Sequence, residues 1–78
     1  MTSWSIEDAI SVERRHVLAA EKLVARQEVI LERLTGNGRV RVAQDASDLL
    51  DILREPLELS RQHLRRLEAQ LRDDPKSN

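Results

Sequence analysis

The sequence contains no cysteine, phenylalanine or tyrosine, and its single tryptophan is Trp4. Without cysteine the chain cannot form disulfides or thiolate metal sites, which is compatible with a reducing compartment. Without large aromatic side chains, its core has to be built mainly from Leu, Ile, Val and Ala, which supply most of the 40% of residues that are apolar. These residues fill contacts between helices, so the composition favours one small all-α domain.

Charge of one sign and long hydrophobic runs are also lacking. Thirteen basic against 14 acidic residues give a net charge of −1, so the whole chain has no attraction to nucleic acid or anionic lipid. The longest apolar run is Val17-Leu18-Ala19-Ala20, far shorter than a bilayer span. The N-terminus lacks the basic and then apolar segments of a secretory signal. We expect a cytoplasmic protein that binds neither nucleic acid nor membranes.

The C-terminal half carries one regular pattern. Apolar or small residues recur there at alternating spacings of four and three, at Ala46, Leu50, Leu53, Leu57, Ser60, Leu64, Leu67 and Leu71. A seven-residue repeat of this kind is the seam along which one helix lies lengthwise on another. Because such a helix needs a partner, and only the N-terminal half is long enough to supply one, the sequence predicts two long helices.

The first helix is predicted over about residues 5–35. Ser5 is the predicted N-cap, and the acidic residues that follow it suit the helix dipole. Trp4, just before the cap, is interpreted as a hydrophobic staple, with a partner anchor as the alternative. The helical pattern ends at Thr35-Gly36-Asn37-Gly38, where we expect Gly36 to take the left-handed conformation of a C-cap.

The second helix is predicted over about residues 42–72, with its start between Val40 and Asp45 and with Asp45 as the best cap candidate. Arg39-Val40-Arg41-Val42 alternates like a strand, but no other segment could pair with it, so we expect a connector. Residues 1–72 would then form a single helical-hairpin domain. The polar residues 73–78 are predicted to be a disordered tail.

Pro56 lies inside the second predicted helix. A proline there removes a backbone hydrogen bond and clashes with the carbonyl of Ile52, at a cost of roughly 3 kcal/mol. The apolar register nevertheless continues from Leu53 to Leu57, so we interpret Pro56 as a kink. Two shorter helices that meet near Glu55 are the alternative.

Two long helices joined by a short turn predict an antiparallel hairpin. Placing Leu34 opposite Ala46 gives a register in which the numbers of facing residues sum to about 80, with arms on the order of 45 Å long. A hairpin with one seam has little interior. Small scaffolds of this kind usually gain stability by association.

The apolar surface is wider than one seam can cover. The surplus residues form a second row on the second helix (Leu49, Ile52, Pro56, Leu59 and His63) and columns on the first (Ala9, His16, Leu23 and Ile30, with a further patch at Leu18, Ala25 and Val29). Scattered surface aliphatics are the ordinary interpretation, but a long exposed stripe is uncommon on a monomer. We therefore predict a homodimer that forms a four-helix bundle. Its predicted interface residues are Leu18, Val29, Leu49, Ile52 and Leu59.

Two polar residues interrupt the apolar surface of the first helix. Gln27 is either a buried amide that sets register and oligomeric state at some cost in stability, or a half-exposed side chain whose stem covers apolar surface. Glu13 is similar, but it lies nearer the open end of the hairpin, where we expect it to be exposed.

The two histidines, His16 and His63, become near neighbours in the register that sums to about 80. With Glu13 and Glu21 about a turn from His16, they could form a metal site of two imidazoles and one carboxylate. Two histidines packed at the edge of the seam are the more ordinary interpretation, so neither a metal nor a cofactor is predicted. A phosphorylated histidine is weaker still, because His16 lacks the acidic neighbour and proline of the histidine-kinase motif.

Four arginines come together in the same register, with Arg14 and Arg15 opposite Arg65 and Arg66. Such a cluster could receive an acidic partner surface, a phosphate or nucleic acid. The favoured interpretation is a solvated face on which nearby carboxylates neutralise the guanidinium groups, those of Asp8, Glu13 and Glu68.

No catalytic set is found in the sequence. The segment Gly36-Asn37-Gly38 is not followed by the Lys-Ser/Thr of a phosphate-binding loop, and Ser47 and Ser60 have no triad partners. We predict a non-enzymatic module for protein–protein interaction or regulation, which acts as a homodimer and binds a further protein. A small metal- or ligand-binding bundle that uses His16 and His63 is the alternative.

Several short segments resemble a known group of proteins. They are His16-Val17-Leu18-Ala19-Ala20-Glu21, Arg26-Gln27, Ile30, Leu34, a glycine-containing turn, Leu49-Leu50, Leu53, Leu57 and His63-Leu64. This pattern covers residues 16–67 and is similar to that of small uncharacterised helical proteins of alphaproteobacteria. The resemblance implies a helical hairpin without an assigned activity.

Overall fold

A computed structural model describes residues 5–73 of the chain, and this part contains two α-helices and no strand. Helix α1 spans Ile6–Gly36 and helix α2 spans Val40–Asp73. They pack side by side and run in opposite directions, so the predicted all-α hairpin is confirmed. Within the described range, neither helix is long and apolar enough to cross a membrane.

Helix α1 begins at the predicted cap. Ser5 has an extended backbone, with φ −79° and ψ 163°, and its hydroxyl accepts a hydrogen bond of 3.1 Å from the backbone N–H of Asp8. The carboxylate of Asp8 in turn accepts from the N–H of Ser5 at 3.3 Å. This reciprocal capping box satisfies two backbone donors that the first turn would otherwise leave free. Trp4, the predicted staple, lies outside the described residues.

In the turn between the helices, the glycine that reverses the chain is not the predicted one. Gly36 is still helical, Asn37 is the C-cap with φ −90°, and Gly38 takes the left-handed conformation with φ +70°. The N–H of Arg39 then donates to the carbonyl of Leu34 at 3.1 Å. The left-handed residue is therefore two positions later than expected, because α1 continues for one more residue before Asn37 caps it.

Helix α2 begins at Val40, which is the earliest of the predicted starting points and two residues before the bound of about 42. The N–H of Ala43 donates to the carbonyl of Arg39 at 2.8 Å, which closes the first helical turn directly after Gly38. The interpretation of residues 39–42 as a connector is therefore wrong for residues 40–42, and Arg39 alone lies between the turn and α2. Asp45 is not a cap either, since it lies inside the helix, and Asp73 belongs to the helix rather than to the predicted tail. Residues 74–78 of that tail lie outside the described range.

Pro56 lies within one continuous helix, so the alternative of two shorter helices is wrong. The apolar register holds across it, with Leu53 half-buried and Leu57 buried. Pro56 and Ile52 are both exposed. Proline has no N–H to donate to the backbone carbonyl of Ile52, so water can solvate that carbonyl instead. The kink at Pro56 stays a prediction.

The core is the seam between the two helices. On α2 the predicted repeat is confirmed, since all its residues from Ala46 to Leu71 are buried or half-buried. On α1 the matching residues also alternate at four and three, at Ile6, Ile10, Glu13, Val17, Ala20, Val24, Gln27, Leu31 and Leu34. Val24, Leu50 and Leu57 form the central cluster of this seam. Its α1 side includes two polar side chains, whose partners define the site below.

Candidate functional site

One long edge of the hairpin is closed by charge. On α1, Arg14, Glu21 and Glu28 follow each other at intervals of seven, and on α2 the matching series is Arg54, Arg61 and Glu68. They form three cross-helix ion pairs: Arg14–Glu68 at 3.1 Å, Glu21–Arg61 at 3.0 Å and Glu28–Arg54 at 3.8 Å. We call these six residues the charged edge. Their residue numbers sum to 82, which confirms the predicted register.

The ion pairs of the charged edge affect the alignment of the two helices more than the stability of the hairpin. Their side chains are between 39% and 63% exposed, and pairs this accessible contribute at most about 1 kcal/mol each. A slip of the helices by one residue would separate all three pairs at once. The charged edge therefore favours one register, and its side chains already have partners within the hairpin.

The opposite long edge carries apolar residues at the equivalent positions. His16, Leu23 and Ile30 follow each other at intervals of seven on α1, and Leu49, Pro56 and His63 do so on α2. Both series lie on the same side of the seam, because His16 and His63 both contact the carboxylate of Glu13. Leu23, Ile30 and Leu49 are 52%, 40% and 45% exposed. On the outer rim of α2, Ile52 and Leu59 continue this surface. We call Leu23, Ile30, Leu49, Ile52, Pro56 and Leu59 the apolar edge.

The apolar edge runs from near the turn to about the middle of the hairpin, where Leu59 is its last member on α2. Toward the open end, the same two series continue with the polar side chains of His16, His63 and Gln70 and with the small side chain of Ala9. This division along the edge limits how a second molecule could lie on it.

The predicted interface residues divide between two faces. Leu49, Ile52 and Leu59 belong to the apolar edge, whereas Leu18 and Val29 do not share the seven-residue series of Leu23 and lie on other sides of α1. All five are exposed, at 45% or more. The sequence shows Leu23 and Ile30 as one column but does not assign them to the interface. Which side of the seam that column occupies follows from the contacts of Glu13 with His16 and His63, and the sequence does not show these contacts.

Glu13 is buried in the seam, at 8% exposed, so the expectation that it would be exposed is wrong. Its Oε2 atom lies 3.0 Å from Nδ1 of His63 on the opposite helix and 3.7 Å from Nδ1 of His16 one turn along α1. Ser60 also donates a hydrogen bond to this carboxylate. These groups explain why a carboxylate is tolerated in the seam, since buried charge is stable only when it is paired and hydrogen-bonded.

The environment of Glu13 shifts its pKa in two opposing directions. Burial raises the pKa of the Glu13 carboxyl, whereas the hydrogen bonds from His63 and Ser60 and the positive charge of the two imidazoles lower it. The net effect lowers the pKa below its ordinary value of 4.5. The ionised form is therefore the one that the fold stabilises.

This lowered pKa predicts an acid dependence of stability. A carboxylate whose pKa is lower in the folded state stabilises the fold above its ordinary pKa of 4.5, and this contribution is lost as the pH falls through the folded value. We therefore expect the free energy of unfolding to fall more steeply below pH 4.5 in the parent than in Glu13→Gln, as measured by urea titration from pH 6 to pH 3. Glu32→Gln removes an exposed carboxylate and should keep the slope of the parent. Equal slopes for the parent and Glu13→Gln would contradict the prediction.

Gln27 is also buried, at 8% exposed, which confirms the first of the two interpretations made from the sequence as far as burial is concerned. Its Nε2 donates a hydrogen bond of 3.0 Å to the carbonyl of Ala46 on α2. A buried amide with one cross-helix partner favours one alignment of the two helices. That Gln27 sets the oligomeric state stays a prediction.

The four arginines of the predicted cluster have different surroundings. Arg14 pairs with Glu68, as expected from the sequence, and Arg65 lies 3.4 Å from Glu58. Within the described residues, Arg15 and Arg66 have no ion-pair partner. Two of the four arginines in the candidate patch for an anionic partner are therefore paired with carboxylates.

The two histidines meet at a shared carboxylate, which sequence reasoning had only partly anticipated. The register correctly placed His16 and His63 near each other, and the sequence offered Glu13 and Glu21 as carboxylates beside His16. It did not show that Glu13 is the one that contacts both rings, or that Glu13 is buried. The segment Glu13-Arg14-Arg15-His16 contains a signal for it, because residues three apart lie on one helix face. Within residues 5–73, a single hairpin contains no group of three side chains placed to hold a metal ion.

Comparison with known proteins adds no relative. No family model matches this chain, and neither a curated protein nor a solved structure matches it. The resemblance to small helical proteins of alphaproteobacteria stays a prediction.

Proposed function

We propose that this protein is a non-enzymatic protein-interaction module that acts as a homodimeric four-helix bundle in the cytoplasm. The observation that supports this proposal is the contrast between the two edges of the hairpin. The side chains of the charged edge are paired with each other, whereas the apolar edge leaves large aliphatic side chains in water. Monomeric proteins rarely expose a long contiguous apolar surface, and such a surface usually marks an interaction site.

The interior of a single hairpin is small. Within residues 5–73, five apolar residues are buried, and none of them is fully removed from solvent. Nine large apolar residues are exposed in the same range. Chains below about 70–80 residues rarely obtain more than a few kcal/mol from one core, and association is a common source of the remainder. Covering the apolar edge by association would supply this additional stability.

A second copy of the chain fits the apolar edge when both turns lie at the same end. In that two-fold arrangement α1 of one copy lies against α2 of the other, and the numbers of facing residues again sum to about 80. Leu23 then faces Pro56 of the second copy, and Ile30 faces its Leu49. With the turns at opposite ends, the apolar half of each copy would instead cover the polar half of the other. Apolar burial therefore favours the first arrangement.

Charged residues beside the apolar edge support the same arrangement. Arg33 follows Ile30 by three residues, and Asp45 precedes Leu49 by four. Both are exposed, and neither has an ion-pair partner among the described residues. With both turns at the same end, Arg33 of one copy meets Asp45 of the other. An exposed pair adds at most about 1 kcal/mol, so its role is to favour this alignment.

The proposal is tested with two matched double variants. Leu23→Glu with Leu49→Glu places charge on the apolar edge, whereas Leu18→Glu with Val29→Glu changes side chains of nearly equal exposure elsewhere on α1. In sedimentation equilibrium at tens of micromolar, a range set by typical affinities, the parent and the second variant should be dimers. The first variant should be monomeric, unfolded or both.

Two results would contradict the proposal. The first is a parent protein that sediments as a folded monomer at that concentration. The second is a reversal of the variants, in which charge at Leu18 and Val29 dissociates the dimer and charge at Leu23 and Leu49 does not. In the proposed dimer, Leu18 and Val29 remain outside the interface.

A further inference from the structure

We propose that the dimer completes a site for a borderline divalent cation of the Zn²⁺ class, bound by the imidazoles of His16 and His63 from both copies. This inference depends on the dimer proposed above. In each copy Glu13 positions the ring of His63 and lies close to that of His16, and the metal takes their outer nitrogen atoms. Neither copy alone has more than two imidazoles to offer.

The carboxylate of Glu13 sets the orientation of the His63 ring and lies close to the His16 ring. A carboxylate accepts hydrogen bonds and does not donate them, so Nδ1 of His63, at 3.0 Å from Glu13, carries the proton. Nδ1 of His16 faces the same oxygen atom at 3.7 Å. In a neutral ring with a proton on Nδ1, the lone pair is on Nε2. Histidines that bind metals commonly donate their other N–H to a carboxylate in this way, which fixes the ring and raises its basicity.

The Nε2 atoms of both rings are available. Neither makes a hydrogen bond to any of the described residues. The side chain of His16 is 62% exposed and that of His63 is 55% exposed, although the carboxylate between them is 11% exposed. A buried carboxylate therefore lies beneath two exposed imidazoles.

The position of the histidines on the hairpin brings four of them together. His16 precedes Leu23 by seven residues, and His63 follows Pro56 by seven, so both lie in the two series that form the apolar edge. The arrangement with both turns at one end places His16 opposite His63 of the second copy, just as it places Leu23 opposite Pro56. The same two-fold dimer that covers the apolar half therefore assembles four imidazoles in the other half.

The donor set determines the class of metal. Zn²⁺ commonly takes four nitrogen or sulfur ligands, and imidazole suits Zn²⁺, Cu²⁺ and Ni²⁺, whereas Mg²⁺ and Ca²⁺ prefer oxygen ligands. The two Glu13 carboxylates of a dimer supply two negative charges near the site, which balance the charge of one divalent ion. Within residues 5–73, each copy by itself lacks a third ligand, which is why the site is incomplete without its partner.

The inference is tested on the full-length protein after removal of metals with EDTA and dialysis. Titration with ZnCl₂, followed by calorimetry, should give one bound ion per dimer, and the melting temperature should rise as the free metal increases. MgCl₂ should have no effect. The double variant His16→Gln, His63→Gln should lose zinc binding but remain a dimer in EDTA. Glu13→Gln should bind zinc about 10- to 100-fold more weakly, as expected for a residue that positions a ligand.

The results that would contradict the metal site differ from those that would contradict the dimer. A protein that is a dimer in EDTA but does not bind zinc, or binds it equally well as the His16→Gln, His63→Gln variant, overturns the metal site and leaves the dimer intact. A stoichiometry of one zinc ion per monomer, or complete loss of binding in Glu13→Gln, also overturns the composite site, the latter because Glu13 would then be a direct ligand. A monomer both with and without zinc overturns the dimer and the metal site together. A protein that is a monomer in EDTA and dimerises only when zinc is added supports the metal site shared by two copies, and it contradicts the proposal that burial of the apolar edge alone holds the dimer together.

Discussion

Replacing Leu50 with alanine should unfold most of the protein at room temperature. Leu50 has the lowest exposure among the buried residues, at 3%, and it belongs to the central cluster with Val24 and Leu57. Truncating a buried leucine to alanine costs about 2–5 kcal/mol. That loss is similar to the whole contribution of roughly 3–5 kcal/mol that one core supplies in a domain this small. Guanidinium titration followed by circular dichroism should therefore show a large fall in the transition midpoint, or no folded baseline.

The matched control for this substitution is Leu18→Ala. Leu18 is 53% exposed and lies on neither edge of the hairpin, so its truncation should change the free energy of unfolding by no more than about 0.5 kcal/mol. Similar losses for Leu50→Ala and Leu18→Ala would show that the seam between α1 and α2 is not the core of the protein. Both variants are to be compared with the parent at one protein concentration, because association contributes to apparent stability.

The part of the fold that follows a strict repeat could be predicted from the sequence. The seam of α2 from Ala46 to Leu71 is an uninterrupted seven-residue pattern, and its burial is as expected. The seam of α1 was harder to recognise, because Glu13 and Gln27 occupy two of its positions. Their burial depends on groups of the other helix, His63 for the carboxylate and the carbonyl of Ala46 for the amide. No pattern within α1 contains those partners.

The glycine that reverses the chain and the helical conformation of residues 40–42 were not predicted, for a local reason. The alternation of arginine and valine at residues 39–42 is typical of a strand, and α2 has no acidic residue in its first turn. Its start is instead determined by Gly38, whose positive φ reverses the chain so that Arg39 and Ala43 can form a hydrogen bond. Of the two glycines in this segment, the sequence could not indicate which one would take that conformation.

The candidate site was predicted in its residues but not in its arrangement. The register brought His16 and His63 together, and the surplus apolar rows indicated association. Which side of the seam each row occupies became clear only from the ion pairs on one edge and the contacts of Glu13 on the other. This information divides the surplus residues into an apolar edge that includes Leu49 and an outer surface that includes Leu18.

Replacing Pro56 with alanine should stabilise the helix that contains it. The helix is continuous through Pro56, so the substitution adds an N–H that can donate to the carbonyl of Ile52 and removes the clash with the proline ring. A proline in a helix interior is about 3 kcal/mol less favourable than alanine, and that is the upper limit of the expected gain. The midpoint of guanidinium unfolding should rise clearly above that of the parent.

The control is Glu55→Ala, because Glu55 is the exposed neighbour in the same helix and the described residues offer it no ion pair. Its effect should be limited to a few tenths of a kcal/mol, the difference in helix propensity between these residues. A gain no larger than that of Glu55→Ala would show that solvation of the Ile52 carbonyl already offsets the proline. Pro56 also lies on the apolar edge, so Pro56→Ala should weaken self-association in sedimentation experiments while it stabilises the hairpin. Opposite effects of one substitution on the two equilibria would explain why a proline occupies a position that is unfavourable for a helix alone.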